Sequence, residues 1–411
     1  MSTKVIRHPK STSFSIYNFI WISLLLLAFI IQPFLGMLVV IATNTYLGRF
    51  KSKDFLLIAL VCSCYLGLLN LTKLPDSDYI SYLEMYSTSR AIPLGEFLLL
   101  FSREPVYYIY LHSIANLPFS SAQLFVFLST ALTYLISLVA LIRTCKIVGL
   151  PGSFVTSFIL CFVFFAPLFS LSAHVMRQFF SASLVLLFFS ELLLLGVRRW
   201  WLLAIAVLMH YSALFFALVA IIKKSKVIPS HFLALMYLGL LPMIYIFARS
   251  AADTFSNIPL LGYVFKMAGR DEGHPLEHLS LVAVVFVIIA IVISIANLKF
   301  KYNDRLKLIS ERGWGLHVGT IMLGIVVLIS NSITGGTEIA GRFFFYEYFL
   351  IALILPLFVA AHPYSKPFFA LAPLLLIPYF FFNMQHGTWD YAPFFDLITS
   401  PSWVLWSYRR L

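Results

Sequence analysis

Long apolar runs, interrupted by short polar stretches, set the pattern of this chain from one end to the other. Eleven such runs centre on 14–31, 33–48, 54–72, 121–142, 153–173, 177–197, 231–249, 278–298, 314–333, 343–361 and 367–384. At 1.5 Å per residue, each is long enough, or nearly so, to cross a hydrocarbon layer of about 30 Å as a helix. A helix that is apolar all round is surrounded by lipid or by other buried helices. The pattern therefore predicts an all-α, polytopic integral membrane protein with about 11 transmembrane helices.

Two apolar stretches depart from this rule. The segment 104–117 opens at Glu104-Pro105 and is too short to span, so it is expected as a re-entrant or interfacial helix. The run 200–222 has Arg198 and Arg199 before it, Lys223, Lys224 and Lys226 after it, and His210-Tyr211-Ser212 at its middle. Cations at both ends predict a broken hairpin that enters and leaves on one side. A break at that depth is tolerated where it lines a cavity. Polar inserts are expected at 73–103 and 250–277. The chain shows no internal repeat and no soluble domain, so residues 1–411 form one membrane-embedded domain.

Composition agrees with this reading. Of 411 residues, 61% are hydrophobic and 11% are charged, where soluble domains carry about a quarter charged residues. The net charge of +12 does not call for nucleic acid. In a membrane protein the placement of Lys and Arg reports topology. With the N-terminus in the cytoplasm and the first helix uncleaved, the predicted inner loops hold most of the basic residues. That balance holds only if 104–117 and 200–222 do not cross. Asp76, Asp78, Glu104, Arg177, Arg270 and Arg342 then fall on the outer side, and His210 reaches toward them from within. Cys62, Cys64, Cys145 and Cys161 lie in or beside apolar segments without metal-ligand spacing, so they read as packing residues. No metal site and no cofactor motif is present: there is no P-loop and no GxGxxG. The Asp76-Ser77-Asp78 triplet alone is a weak metal signal.

The residues that carry chemistry are those that are expensive at membrane depth. An ionisable side chain there costs roughly 2.5–3.5 kcal/mol on insertion scales. Arg177 and Arg342 occupy such positions, and His210 sits in mid-run. Arginine's planar fork of donors suits phosphate and diphosphate. Histidine or a carboxylate can take a proton from an acceptor hydroxyl. Each has a blander reading: Arg177 and Arg342 as interface anchors, His210 as a neutral side chain on a carbonyl, Asp78 and Glu104 as solvated carboxylates. Arg270 with Asp271 and Glu272 reads equally as a wet loop. Tyr79, Tyr82, Tyr86, Tyr107, Tyr108 and Trp389 read mainly as an interfacial belt.

The order of short motifs resembles the EpsG/Wzy-type family of exopolysaccharide and O-antigen polymerases. The pieces are Asp78-Tyr79-x-x-Tyr82, Glu104-Pro105, Arg177-Gln178, His210-Tyr211-Ser212-Ala213-Leu214 and Gly341-Arg342-Phe343, spread over about 70–350. Ser77 stands where many members carry glycine. The resemblance implies a GT-C-like glycosyltransferase of the bacterial inner membrane with its active site facing the periplasm. It would join undecaprenyl-diphosphate-linked repeat units, with undecaprenyl diphosphate as leaving group. Arg177, Arg342 and Arg270 would bind the diphosphate. His210, Asp78 and Glu104 would be catalytic. Tyr79, Tyr82, Gln178 and Tyr211 would hold the acceptor or its sugars. The partners implied are the lipid-linked glycan and the bilayer, with a chain-length regulator as the candidate protein partner. An O-antigen ligase and a lipid-linked glycan flippase are the alternatives. A ligase calls for a large late outer loop, and a flippase for repeated halves.

Overall fold

The computed structural model describes residues 16–46, 52–101, 104–221, 281–299, 304–334, 338–387 and 389–409. Every regular element among them is helical. The expected span 231–249 and the insert 250–277 lie outside the described residues.

Helices α1 (Ile16–Ile31) and α2 (Pro33–Tyr46) fold back on each other at Gln32, whose side chain accepts from the Leu35 N–H at 2.9 Å. Helix α3 (Ser52–Leu71) packs along α7 (Ala122–Ile147), which in turn packs along α10 (Met176–Leu195). These three form the centre of the bundle. Ser121 caps α7 by accepting from the Leu124 N–H at 3.1 Å, as a serine ahead of a helix commonly does.

Between α3 and α7 the chain does not remain an open polar insert. It forms α4 (Asp78–Ala91), α5 (Leu94–Leu100) and α6 (Pro105–Ala115). At 11 residues α6 reaches only about 16 Å, so it fits the short non-spanning helix expected there. The run expected as one span over 153–173 is two helices, α8 (Gly152–Val163) and α9 (Ala166–Leu171). Pro167 has no N–H to continue the ladder from α8, and it sits in the first turn of α9, where none is needed.

The stretch after α10 is the hairpin that the sequence predicts. Helix α11 (Trp200–Met209) runs antiparallel to α10: Trp200 packs on Phe188, and the Ala206 carbonyl accepts from Ser181 Oγ at 2.8 Å. The chain turns through Tyr211–Ala213 into α12 (Leu214–Ile221). Phe216 then packs on Phe189, and Val219 faces Gly319. The hairpin has therefore returned toward the end where it began, with His210 at its tip.

The later elements are α13 (Leu281–Lys299), α14 (Asp304–Arg312), α15 (Trp314–Thr334), α16 (Glu338–Ala361) and α17 (Lys366–His386). Two short helices follow, α18 (Phe394–Thr399) and α19 (Ser402–Ser407). By length and composition α7, α10 and residues 363–386 are apolar enough to cross a membrane, and shorter apolar helices stand beside them. Leu374, Leu375 and Phe382 on α17 are more than half exposed. Such an apolar exterior suits lipid contact.

Charge is distributed unevenly along the bundle. One end holds Arg143 and Arg199, both paired with Glu191, with Lys146 over Phe55 and Lys366 over Phe154. There α10 stops at Gly196, in the left-handed region at φ +67°, where glycine is easiest. Arg312 closes that end by donating to the Leu194 carbonyl at 2.9 Å. The opposite end collects the start of α10, the tip of the hairpin, α4 to α6 and the C-terminal segment. The Leu74 N–H donates to the Asp390 carbonyl at 2.8 Å, and Tyr65 donates to the Leu397 carbonyl at 3.4 Å. The aromatic tail thus lies across the ends of α2 and α3, on the side that carries the candidate site.

Candidate functional site

Three distant segments meet at this end. Glu104 is the residue just before α6, Arg177 lies in the first turn of α10, and His210 is the residue between α11 and its turn. One carboxylate oxygen of Glu104 is 2.6 Å from Arg177 Nη1, and the other is 3.7 Å from His210 Nε2. Glu104 and His210 are buried, at 3% and 4% exposure, while the Arg177 side chain is one-quarter exposed, at 25%. Glu104 is thus no solvated loop carboxylate. It is the anionic centre of a buried cluster.

Tyrosines complete the arginine's surroundings. Arg177 Nη1 donates to Tyr108 Oη at 3.2 Å, and Nε donates to Tyr82 Oη at 3.4 Å. The guanidinium carbon also lies 5.6 Å from the Tyr82 ring centre. Tyr79, Tyr82, Tyr86, Tyr107 and Tyr108 are all buried. The expected interfacial belt is therefore an interior aromatic layer, because α4 and α6 pack face to face instead of lying open at a surface.

A chain of hydroxyls extends from the histidine. His210 Nδ1 lies 2.6 Å from Ser212 Oγ and accepts from the Ser212 N–H at 3.4 Å. A backbone N–H can only donate, so Nδ1 is the acceptor nitrogen and the neutral ring carries its proton on Nε2, toward Glu104. Ser212 Oγ lies 2.9 Å from Tyr346 Oη, which lies 3.2 Å from Ser181 Oγ. Ser212, Tyr346 and Ser181 were not legible as site residues. Only the adjacency of Ser212 to His210 carried a signal.

The other expected residues divide into groups. Gln178 is buried beside Arg177, and Tyr211 is half-buried in the turn. Tyr79 packs edge-on to His174, one turn from the Tyr82–Arg177 contact. Asp78 is exposed at the start of α4 and does not join Glu104, Arg177 and His210. The residue before it, Ser77, adopts φ 48° and ψ −125°, a region that is essentially glycine's. Arg342 falls in the first turns of α16, but its side chain lies outside the described residues, and Arg270 lies outside them altogether.

The backbone nevertheless places Arg342 near the same end as Arg177. Tyr346 on α16 meets Ser181 on α10, and each follows its arginine by four residues. Further along, Asn297 donates to the Ile354 carbonyl at 3.2 Å, and Leu298 packs with Trp314, close to where Gly313 meets Leu193. Helices α10 and α16 therefore run in the same direction, with both arginine positions ahead of the Ser181–Tyr346 contact.

A second polar cluster adjoins the first. Lys73 is fully buried just beyond α3 and donates to the Ser170 carbonyl. Its ammonium lies 4.5 Å from the Trp389 ring centre, and His174 stacks on the same ring at 3.7 Å. Burial holds the Lys73 pKa well below the usual lysine range, with Asp76 opposing. Burial, helped by the Lys73 charge, pushes His174 down to about 3, so it is neutral. Neither residue carries a local signal in the sequence, because a lone lysine after an apolar run has the pattern of an ordinary interface anchor.

Among the described residues no group of three or more His, Cys, Asp or Glu side chains could hold a metal. No curated protein and no solved structure matches this chain. The model of the EpsG family matches residues 55–395, which include Asp78, Glu104, Arg177, His210 and Arg342. With that span matched, the chain belongs to the EpsG family.

Proposed function

We propose that this chain is a membrane polysaccharide polymerase that joins repeat units carried on undecaprenyl diphosphate, at the outer face of the inner membrane. The observation that supports it most is the convergence of Glu104, Arg177 and His210 from three distant segments at one end of an apolar bundle. The opposite end carries Arg143, Lys146, Arg199 and Lys366. Basic residues favour the cytoplasmic side, so the cluster would face outward.

In the proposed reaction the acceptor hydroxyl oxygen attacks the anomeric carbon of the donor glycan. The bond from that carbon to the diphosphate oxygen breaks, and undecaprenyl diphosphate leaves. Arg177, with Arg342 and Arg270, would meet the leaving diphosphate, where fixed positive charge in a water-poor site counts most. Glu104 would take the acceptor proton. His210 is less suited to that task, because its acceptor nitrogen is engaged by Ser212.

Arg177 would exchange Glu104 for the diphosphate when substrate binds. While paired, Glu104 is a weak base, because a neighbouring cation favours its ionised form. Drawing the guanidinium toward phosphate would restore its basicity when the leaving group arrives. Tyr82, Gln178 and Tyr211 would line the path of the acceptor sugars, with Asp78 at its rim.

The test is to supply purified protein with a lipid-linked repeat unit alone, without metal or nucleotide sugar. A ladder of lengthening glycans is expected. Transfer to lipid A core without a ladder would instead mark a ligase, and translocation without transfer a flippase.

A further inference from the structure

Outside the Arg177 cluster, Lys73 has a concentration of unused hydrogen-bond donors around it. Its ammonium donates one hydrogen bond, to the Ser170 carbonyl, and otherwise faces the rings of Trp389 and Tyr391. No ion pair to a carboxylate is formed by Lys73 among the described residues. Two of its three N–H donors therefore have no acceptor there. Both ring nitrogens of His174 and the hydroxyls of Tyr79 and Tyr391 also make no hydrogen bond among the described residues, and all three side chains are more than nine-tenths buried. A buried lysine that pairs with no carboxylate within 4.0 Å among the described residues, ringed by spare donors, is what an oxyanion site requires.

Its position gives the anion a direction. His174 precedes Arg177 by three residues, and Tyr79 precedes Tyr82 by three on α4, so the two clusters sit side by side. On the other flank, Phe34, Ile377, Phe381, Gln385, Phe394 and Ile398 line an apolar groove of about 500 Å³. Gln385 also donates to the Ala392 carbonyl at 3.0 Å, which joins the groove to the segment that carries Trp389 and Tyr391. The order is apolar groove, Lys73, Arg177. That matches a molecule with a lipid chain, one phosphoryl group, a second phosphoryl group and a sugar.

We infer that Lys73, His174, Tyr79 and Tyr391 form an oxyanion subsite for the lipid-side phosphoryl group of a polyprenyl diphosphate, whose chain occupies the groove and whose sugar-side phosphoryl group meets Arg177. This rests on the lipid-diphosphate reading above. Residues 389–392 cover the subsite, held by the Leu74–Asp390 bond and by the Ala392 N–H donating to Thr72 Oγ1 at 3.5 Å. Entry requires that strap to lift.

The test uses the full-length protein in nanodiscs, with farnesyl diphosphate as probe. Farnesyl diphosphate binds the wild type, Lys73→Met weakens it at least about tenfold, and Lys73→Arg stays within about threefold. Without ligand, Lys73→Met melts at or above the wild-type temperature, because an apolar side chain replaces a buried charge. Wild-type affinity in Lys73→Met would overturn the subsite, as would a lowered ligand-free melting temperature with unchanged affinity, which marks a structural clamp. Competition by phosphatidylglycerol vesicles as strong as by the diphosphate would overturn the assignment to a diphosphate. If Arg177→Ala abolishes the glycan ladder while Lys73→Met keeps both ladder and binding, the subsite fails and the polymerase reading stands. If the wild type binds farnesyl diphosphate in a Lys73-dependent way but forms no ladder, the polymerase reading fails and the subsite stands.

Discussion

Arg177 and Glu104, 73 residues apart in sequence, are joined by a 2.6 Å hydrogen-bonded ion pair at the mouth of the bundle. Removing one member strands the other. Breaking a buried pair costs about 3–5 kcal/mol, so Arg177→Ala and Glu104→Ala should both melt earlier and both lose the glycan ladder. The exchanged pair Glu104→Arg with Arg177→Glu should recover most of the melting temperature and none of the ladder, because the guanidinium would sit on the wrong element. Recovered activity in the exchanged pair would show that the bridge is structural only. Arg177→Lys should keep the charge, lose the planar fork and still fail to polymerise.

The hydroxyl chain behind His210 is separable from the fold. Tyr346→Phe keeps the ring that packs on Phe216 at 4.6 Å and removes only the oxygen shared by Ser212 and Ser181. Losing these two hydrogen bonds, at about 1 kcal/mol each, costs about 2 kcal/mol of stability. Turnover should fall about tenfold, the equivalent of about 1.4 kcal/mol in the barrier, and the pH–rate profile should shift, because Ser212, which holds His210 Nδ1, loses its own partner. An unchanged profile would assign Tyr346 to packing alone.

Much of this arrangement was legible in the sequence, and the misses have physical causes. The His210 hairpin was readable because cations flank both of its ends, and a chain that re-enters leaves a charge signature. The break at Phe164-Phe165 was missed because an apolar run hides its own interruption. Glu104 was legible as a candidate and its burial was not, since that burial comes from α4 and α11 folding over it, which no local pattern records. Lys73 and Trp389 are 316 residues apart. No periodicity links a residue beyond α3 to the C-terminal segment, and only the folded chain brings the ammonium onto the ring.

Ser77 offers a test of backbone strain. At φ 48° and ψ −125° it holds a conformation that costs a non-glycine residue about 1–3 kcal/mol. Ser77→Gly should raise the melting temperature, by about 1 kcal/mol of stability offset in part by the greater freedom of the unfolded chain. Ser77→Val, branched at Cβ, should lower it by more than that. Melting curves of the two variants decide the matter. Equal melting temperatures for glycine and valine would mean that the turn before Asp78 is not held in this conformation.

His174 supplies a pH dependence with a defined sign. Its ordinary pKa is 6.5, and in the folded chain burial and the neighbouring Lys73 push it down to about 3. Above 6.5 neither the folded nor the unfolded chain holds the proton, so this residue contributes no slope. Between 6.5 and 3 the unfolded chain binds a proton that the folded chain refuses, so stability falls as pH falls. The slope for one proton is at most about 1.4 kcal/mol per pH unit. His174→Phe keeps a ring against Trp389 and removes the titration, so its melting temperature should decline less between pH 6.5 and pH 4.5 than that of the wild type. Carboxylates titrating in the same range affect both proteins alike, so the difference between the two curves isolates His174. Parallel curves would mean that His174 is protonated in the fold, and a charged imidazolium could not stack beside the Lys73 ammonium without an anion between them.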